Sequence, residues 1–451
     1  MRQTHALSTN WLLSARNLAD WLDYIERIHP REIELGLERV RAVAAHMLIS
    51  RPGPLVITVA GTNGKGSCVA TLEALLEQSG YRTASYTSPH IHVFNERIRI
   101  GAANVSDAEI CAALAVVDSQ RAGVSLSYFE FATLAALWLF QNANVQVAIL
   151  EVGLGGRLDA VNLIDADVAI IASISLDHQD WLGDNVESIG AEKAGILRAG
   201  RPALYAAPNP PLSIVARAHE LAAPLLQLGV DFGYSEHAAA DIWDWFGASH
   251  SGASIRWENL PRPVLALSNV AAAIQALHLL PVQLSRTGLA DTIGRLALAG
   301  RCELRTDLAS GRRVLLDVAH NPAGAAMLAE NLQRLRGRNP GLQRVIAVVA
   351  VLADKDVEGM VTALETFVDI WYIAQVEVSR CLSADTAVKR ITATGLQLHI
   401  EGFDSVQQAY LTACAQATAQ DLVLVTGSFH TVAAVREMSH ADIIAIEAPT
   451  L

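Results

Sequence analysis

Cysteine, long apolar runs and clustered positive charge are all scarce in this chain of 451 residues. The five cysteines, Cys68, Cys111, Cys302, Cys381 and Cys414, are odd in number, scattered and never paired as CxxC. That excludes a disulfide framework and a cysteine-built zinc site, and points to a reduced, cytoplasmic setting. Hydrophobic residues make up 51%, yet the longest apolar runs, such as Val345 to Ala353, are strand-sized and well short of the ~20 residues a membrane helix needs. A soluble protein with no membrane partner is expected, and the stretch Met1 to Trp21 has no continuous apolar core followed by a small-residue cleavage site, so no secretory signal is expected. Lys and Arg total 34 against 46 Asp and Glu, a net charge of −12, with no basic run to track a phosphate backbone. Nucleic acid is thereby excluded as a partner. An anionic small molecule is not, because exposed charge is screened beyond about 8 Å and a few cations inside a cleft outweigh a distant surface.

What the chain has in abundance is alternation. Strand patterns at 55–60, 82–87, 145–152, 168–174 and 202–207 are interleaved with helical patterns at 15–28, 38–47, 67–79, 107–120, 129–141 and 270–280. This reads as α/β with a mostly parallel sheet and crossover helices. Residues 233–263, with their Trp, Ser and Pro, predict antiparallel strands or a hairpin. A second α/β series follows residue 301, with strands at 313–317, 344–352, 370–374 and 421–426 and helices at 322–335 and 357–367. The break between the two series is placed at 299–310, and there is no internal repeat or low-complexity tract.

The most informative stretch is VAGTNGKGS, Val59 to Ser67, a glycine-rich turn with one lysine between an apolar strand and a helix. Glycines there let backbone N–H groups approach a polyanion, the helix N-terminus adds partial positive charge, Lys65 adds a full one, and Ser67 offers a hydroxyl to Mg²⁺. Because Val59 stands where the strict phosphate-loop pattern has glycine, the match is to a variant. In open α/β sheets ligands collect beyond the carboxyl ends of strands, so polar groups that follow apolar runs are candidates. Glu151 ends VAILE as a candidate Mg²⁺ ligand, Ser88 follows a strand in TSPH, and Asp177 and His178 follow another in ISLDHQD. Each has a plainer reading: a helix cap, a Ser-Pro turn, a loop histidine. Lys193, on a short helix, Arg301, at the break, and Asp317, His320 and Asn321 of LLDVAHNP complete the set.

In this order GTNGKGS, TSPH, NERIRI, EVGLGGRLDA, DHQDWLG, ESIGAEKAGI, AGRCE, DVAHNP, ADKD and TGSFHTV resemble the bacterial bifunctional dihydrofolate synthase/folylpolyglutamate synthase family of the Mur ligase superfamily, along nearly the whole chain. The resemblance implies a Mur ligase-like ATP-binding domain over residues 1–300 and a smaller Rossmann-like, glutamate-ligase-type domain over 301–451. It implies ATP contacts from Thr62, Asn63, Gly64, Lys65, Asn269, Arg301 and Asp317. Mg²⁺ would be held by Ser88, Glu151 and His178, with Lys193 carried as a carbamate that ligates a second metal. The pterin-bearing substrate would meet Glu34, Leu35, Gly36 and Leu37, then Ser127, Tyr128, Phe129 and Glu130, then Leu158, Asp159 and Ala160. The implied partners are dihydropteroate, folates and L-glutamate, and a monomer is expected. Three places depart from the family pattern: Ser268 before Asn269, Ala353 before Asp354, and Ser379-Arg380-Cys381. The rival readings are a synthase restricted to folylpolyglutamate formation, a nucleotide-switched binding protein, and a ligase of cell-wall precursors.

Overall fold

The computed structural model describes residues 16–439 apart from 32, 238–239, 308–309 and 379. The secretory-signal expectation for Met1 to Trp21 falls largely outside that range, as do the first residue of the expected helix at 15–28 and the last twelve of the chain.

An eight-stranded sheet forms the first half, from β1 (Leu55–Ala60), β2 (Thr83–Tyr86), β3 (Ile98–Ile100), β4 (Ala103–Asn104), β5 (Val147–Glu151), β6 (Val168–Ile171), β7 (Ala203–Tyr205) and β8 (Leu225–Gln227). Their order is β4-β3-β2-β5-β1-β6-β7-β8, parallel throughout except at β3 and β4. Alternation along each strand feeds two cores. Val56, Ala148 and Leu150 face the helices Glu38–His46, Asp107–Gln120 and Tyr128–Asn142, while Ile57, Val59, Val147 and Ile149 face Lys65–Gln78 and Leu267–His278. Residues in both sets are almost fully buried, which is why these strands read as continuous apolar runs. The expected antiparallel segment is a three-stranded sheet, β9 (Gly233–His237), β10 (Ile242–Ala248) and β11 (Ser254–Pro261), whose Trp243 and Trp245 seal the second core.

A second sheet holds β12 (Glu303–Asp307), β13 (Arg312–Leu316), β14 (Val345–Val349), β15 (Ile370–Ile373), β16 (Ile400–Gly402) and β17 (Leu422–Thr426), ordered β12-β13-β17-β14-β15-β16. Only β12 is antiparallel. It lies inside the stretch 299–310 as an edge strand that was not anticipated. The charged alternation of Glu303, Arg305 and Asp307 hid it. Helices Ala384–Ala393, Val406–Gln416 and Phe429–Ser439 were also not anticipated.

Three further corrections matter for the site. The helix expected from residue 67 begins at Lys65, and the one expected from 270 begins at Leu267, which draws Asn269 into its first turn. The strand expected to reach 174 stops at Ile171, because the chain leaves the sheet for the β1 loop: Thr62 N–H donates to the Ser173 carbonyl at 2.6 Å.

Candidate active site

β1 lies between β5 and β6, where successive crossovers leave in opposite directions, so the loop after Ala60 opens onto a crevice. Gly64 caps the following helix at φ +87°, and a Cβ there would stand 2.5 Å from the Asn269 amide; only glycine satisfies both constraints. Lys65 therefore sits in the first helical turn, and its Nζ donates to the carbonyls of Gly61 (3.0 Å) and Thr62 (3.2 Å). Lys193 Nζ, at the end of the helix Val186–Lys193, donates to the same Gly61 carbonyl at 3.0 Å. Burial lowers the pKa of both ammonium groups, that of Lys193 to about 7 with Lys65 adding repulsion, while Glu151 opposes the shift at Lys65.

Glu151 is the last residue of β5, in register with Val59, and only 4% exposed. Burial pushes its carboxyl up to about 7, against the pull of Lys65 and a hydrogen bond from the Ser88 N–H. It forms no ion pair among the described residues, and a buried carboxylate in that condition suits a cation. His178 begins the short helix Gln179–Leu182 at φ +51°, and burial holds its imidazole near 4, neutral and able to ligate. Among the described residues no three His, Cys, Asp or Glu side chains converge into a metal cage. One carboxylate, one imidazole and one hydroxyl, from Glu151, His178 and Ser88, nevertheless fit Mg²⁺, which keeps waters and phosphate oxygens in its shell.

The second sheet presents its carboxyl edge to the same crevice. Beyond β13, Asn321 exchanges reciprocal amide hydrogen bonds with Asn63, at 3.0 and 3.2 Å, and also donates to Asp177 at 3.1 Å. Beyond β14, Lys355 Nζ lies 2.6 Å from Asp177 Oδ1, and His320 Nε2 is 3.3 Å from Asp177 Oδ2. Burial would raise the Asp177 pKa, but the His320 hydrogen bond and the Lys355 charge hold it well below the usual carboxylate range. The chain has four lysines, at 65, 193, 355 and 389, and the first three line this one cavity of about 890 Å³.

The same cavity is lined by Glu34, Leu35, Gly36, Ser127, Phe129, Glu130, Leu158, Asp159 and Ala160. The Phe129 ring leans on Tyr86 with centroids 5.8 Å apart, and a Cβ on Gly153 would come within 2.7 Å of it, so a flat slot depends on that glycine. Ser127 and Glu130 form a capping box on the helix Tyr128–Asn142, and Arg39 bridges Glu130 to Glu34. Asp159 accepts from the Leu154 and Val161 N–H groups, and burial raises it to about 6.

Thr62, Gly64, Lys65, Ser88, Glu151, His178, Lys193 and Arg301 also line the cavity, and the Arg301 guanidinium sits 5.8 Å from the Phe429 ring centroid. Seven expected residues do not: Ser67 is buried in the first turn of the helix Lys65–Gln78, and Asn321 turns to Asn63 and Asp177. Leu37 is in the hydrophobic core and Tyr128 packs edge-on to Phe94. Asn269 backs Gly64, Asn63 is taken up by Asn321, and Asp317 accepts from the Cys302 and Ala319 N–H groups, both at 2.8 Å. Conversely, Glu73, Arg97, Arg99, Arg380 and Arg436 line the cavity without having been singled out. Alternation in NERIRI was the available signal for Arg97 and Arg99.

A phosphate loop with buried ammonium and carboxylate groups at one sheet edge, faced by a second α/β unit, defines a two-domain ATP-dependent ligase. Residues 59–255 match the Mur ligase middle domain and residues 300–429 the Mur ligase glutamate ligase domain. The chain is 44% identical over 430 residues to the dihydrofolate synthase/folylpolyglutamate synthase of Escherichia coli, covering 95% of this chain and 97% of that one. It is 38% identical over 429 residues to the protein of that name from Haemophilus influenzae, covering 92% and 96%. Among solved structures, E. coli FolC with DHPP and ADP superposes with a TM-score of 0.87 at 43% identity, covering 95% of this chain and 98% of that one. The Yersinia pestis bifunctional synthase with AMPPNP and Mn gives 0.86 at 41%, covering 94% and 98%. The chain belongs to the dihydrofolate synthase/folylpolyglutamate synthase family of Mur ligases.

Proposed function

We propose that this protein joins L-glutamate to the carboxylate of dihydropteroate, giving dihydrofolate, and to reduced folates, giving polyglutamates. The observation that carries the reading is the single cavity in which the slot beside Phe129, the phosphate loop and the edge of the second sheet meet.

The chemistry follows from the reactants. A carboxylate resists an amine because its charge repels the nucleophile and oxide is a poor leaving group. Transfer of the γ-phosphoryl group of ATP to the carboxylate oxygen breaks the bond to ADP and gives an acyl phosphate. The neutral amine of glutamate then adds to the carbonyl carbon, phosphate leaves, and the nitrogen proton is lost to solvent. Lys65 and the loop N–H groups, with Thr62 and Gly64, stabilise charge on the transferring group. Ser88, Glu151 and His178 would hold Mg²⁺, which supplies the positive charge that draws the phosphate oxygens together. Lys193, with its pKa lowered to about 7, keeps a substantial neutral fraction that can take up CO2, and as a carbamate it would be a second metal carboxylate. Glu34, Leu35 and Gly36, Ser127, Phe129 and Glu130, and Leu158, Asp159 and Ala160 would frame the pterin, and Arg301 the nucleotide. Residues 1–300 and 301–451 would act as two domains closing over the cavity of a cytoplasmic monomer, keeping water from the acyl phosphate.

Phosphate release from the purified protein tests this directly. Release requiring ATP, glutamate and either dihydropteroate or tetrahydrofolate is expected, with ADP as product. AMP formation, or turnover indifferent to glutamate, would overturn it. Activity with tetrahydrofolate alone would reduce the assignment to a folylpolyglutamate synthase.

A further inference from the structure

Asp177 is a buried carboxylate on which both halves of the molecule close. It is 8% exposed and belongs to the loop that leaves β6. Oδ1 accepts from its neighbour's backbone, the His178 N–H, at 2.9 Å and from Lys355 at 2.6 Å. Oδ2 accepts from Asn321 at 3.1 Å and lies 3.3 Å from His320 Nε2. Three of those four partners come from the second α/β unit, beyond the ends of β13 and β14.

The same loop also grips the phosphate loop. Ser173 Oγ donates to the Asn63 carbonyl at 3.1 Å, and Ser175 N–H donates to Thr62 Oγ1, also at 3.1 Å. Asn321, besides binding Asp177, pairs with Asn63 and caps the helix Pro322–Arg338 through the Gly324 N–H at 2.8 Å. His178 holds a left-handed backbone at φ +51°, with its N–H donated to Asp177 and its carbonyl accepting from Trp181 and Leu182.

We infer that Asp177 is a positioning residue that transmits docking of the second α/β unit to His178 and to the phosphate loop. Although it lies in the cavity wall, its carboxylate oxygens are both taken up by protein groups. Its work is to fix the His178 backbone and the Thr62–Asn63 segment only while Lys355, His320 and Asn321 are in place. Coupling requires the loop 173–178 to have a docked and a released arrangement, and amide exchange tests for the second. The inference rests on the ligase reading for its kinetic consequences but not for its structural ones.

Four full-length proteins form the test: wild type, Asp177→Asn, Lys355→Met and the double variant. Asp177→Asn should lower kcat by about 10- to 100-fold while KM for ATP stays within about threefold, because positioning is lost and binding is not. In the Lys355→Met background the same change should cost far less, since the two residues act through one contact. Amide hydrogen exchange gives the readout that needs no activity: 61–66, 173–178 and 318–322 should lose protection together in each variant. A kcat within twofold of wild type, equal kinetic factors in both backgrounds, or loosening of 173–178 alone would each overturn the inference. Should Asp177→Asn fail to fold, Lys355→Met must by itself loosen the phosphate loop from the other side, and intact protection at 61–66 would refute the coupling. A wild type inactive in ligation would refute the ligase reading, while the exchange data would still decide the coupling.

Discussion

The two edges that face each other across the cavity handle charge in opposite ways. On the first-sheet side, Lys65, Lys193, Glu151 and Asp159 are buried with their pKa values displaced by desolvation, and Glu151 has no ion-pair partner among the described residues. On the second-sheet side charges are neutralised locally. Asp317 is held by two backbone N–H groups, and at the opposite, amino edge of the same sheet Asp421 accepts from Thr418 N–H at 2.8 Å and from Arg344 at 2.8 Å. One side keeps unsatisfied charge for ligands that bring phosphate and metal. The other is a braced platform, and this division locates the chemistry before any ligand is considered.

Several experiments would break or sharpen that contrast. The largest effect is expected from Glu151→Ala or Lys65→Ala, which should cut turnover on the order of 10³-fold with the fold intact by circular dichroism. Near-normal turnover in either would erase the distinction between the edges. Next comes Lys193. Activity should fall in CO2-depleted buffer and return with bicarbonate, while Lys193→Met should be inactive in both. Gly153→Ala should raise KM for dihydropteroate about tenfold, through the Phe129 ring, and leave KM for ATP unchanged. The smallest effect on catalysis belongs to the platform: Asp421→Asn should cost about 1–3 kcal/mol of stability in urea melts and leave kcat alone. Its pH dependence has a definite sign. Hydrogen bonding to Arg344 leads in lowering the Asp421 pKa to about 2 in the folded chain, below the ~3.9 of an unfolded aspartate. The contribution is therefore complete above about pH 4 and disappears as pH falls toward 2, so wild type and variant should converge there.

Much of this was readable in advance where one strand or one turn decides the outcome. β1, with its apolar run, and the glycines after it announce the phosphate loop, and Glu151 is the charged residue that ends the apolar run of β5. Charge within a strand defeated periodicity at β12, and β3 and β4 were too short to register. Tertiary partners are the other blind spot. Nothing local to residue 317 tells that its carboxylate is spent on Cys302, or that Asn63 turns toward Asn321 rather than into the cavity. Asp177 was noticed as a strand-end acid, but its weight comes from three residues more than 140 positions away, which no local pattern encodes.

The scarcity of lysine has a practical corollary. Because Lys389 is the one lysine outside the cavity, an amine-directed acylating reagent meets few competing side chains on this molecule. Peptide mapping after such labelling, with and without nucleotide, would read out occupancy at Lys65 and Lys355 and carbamate formation at Lys193.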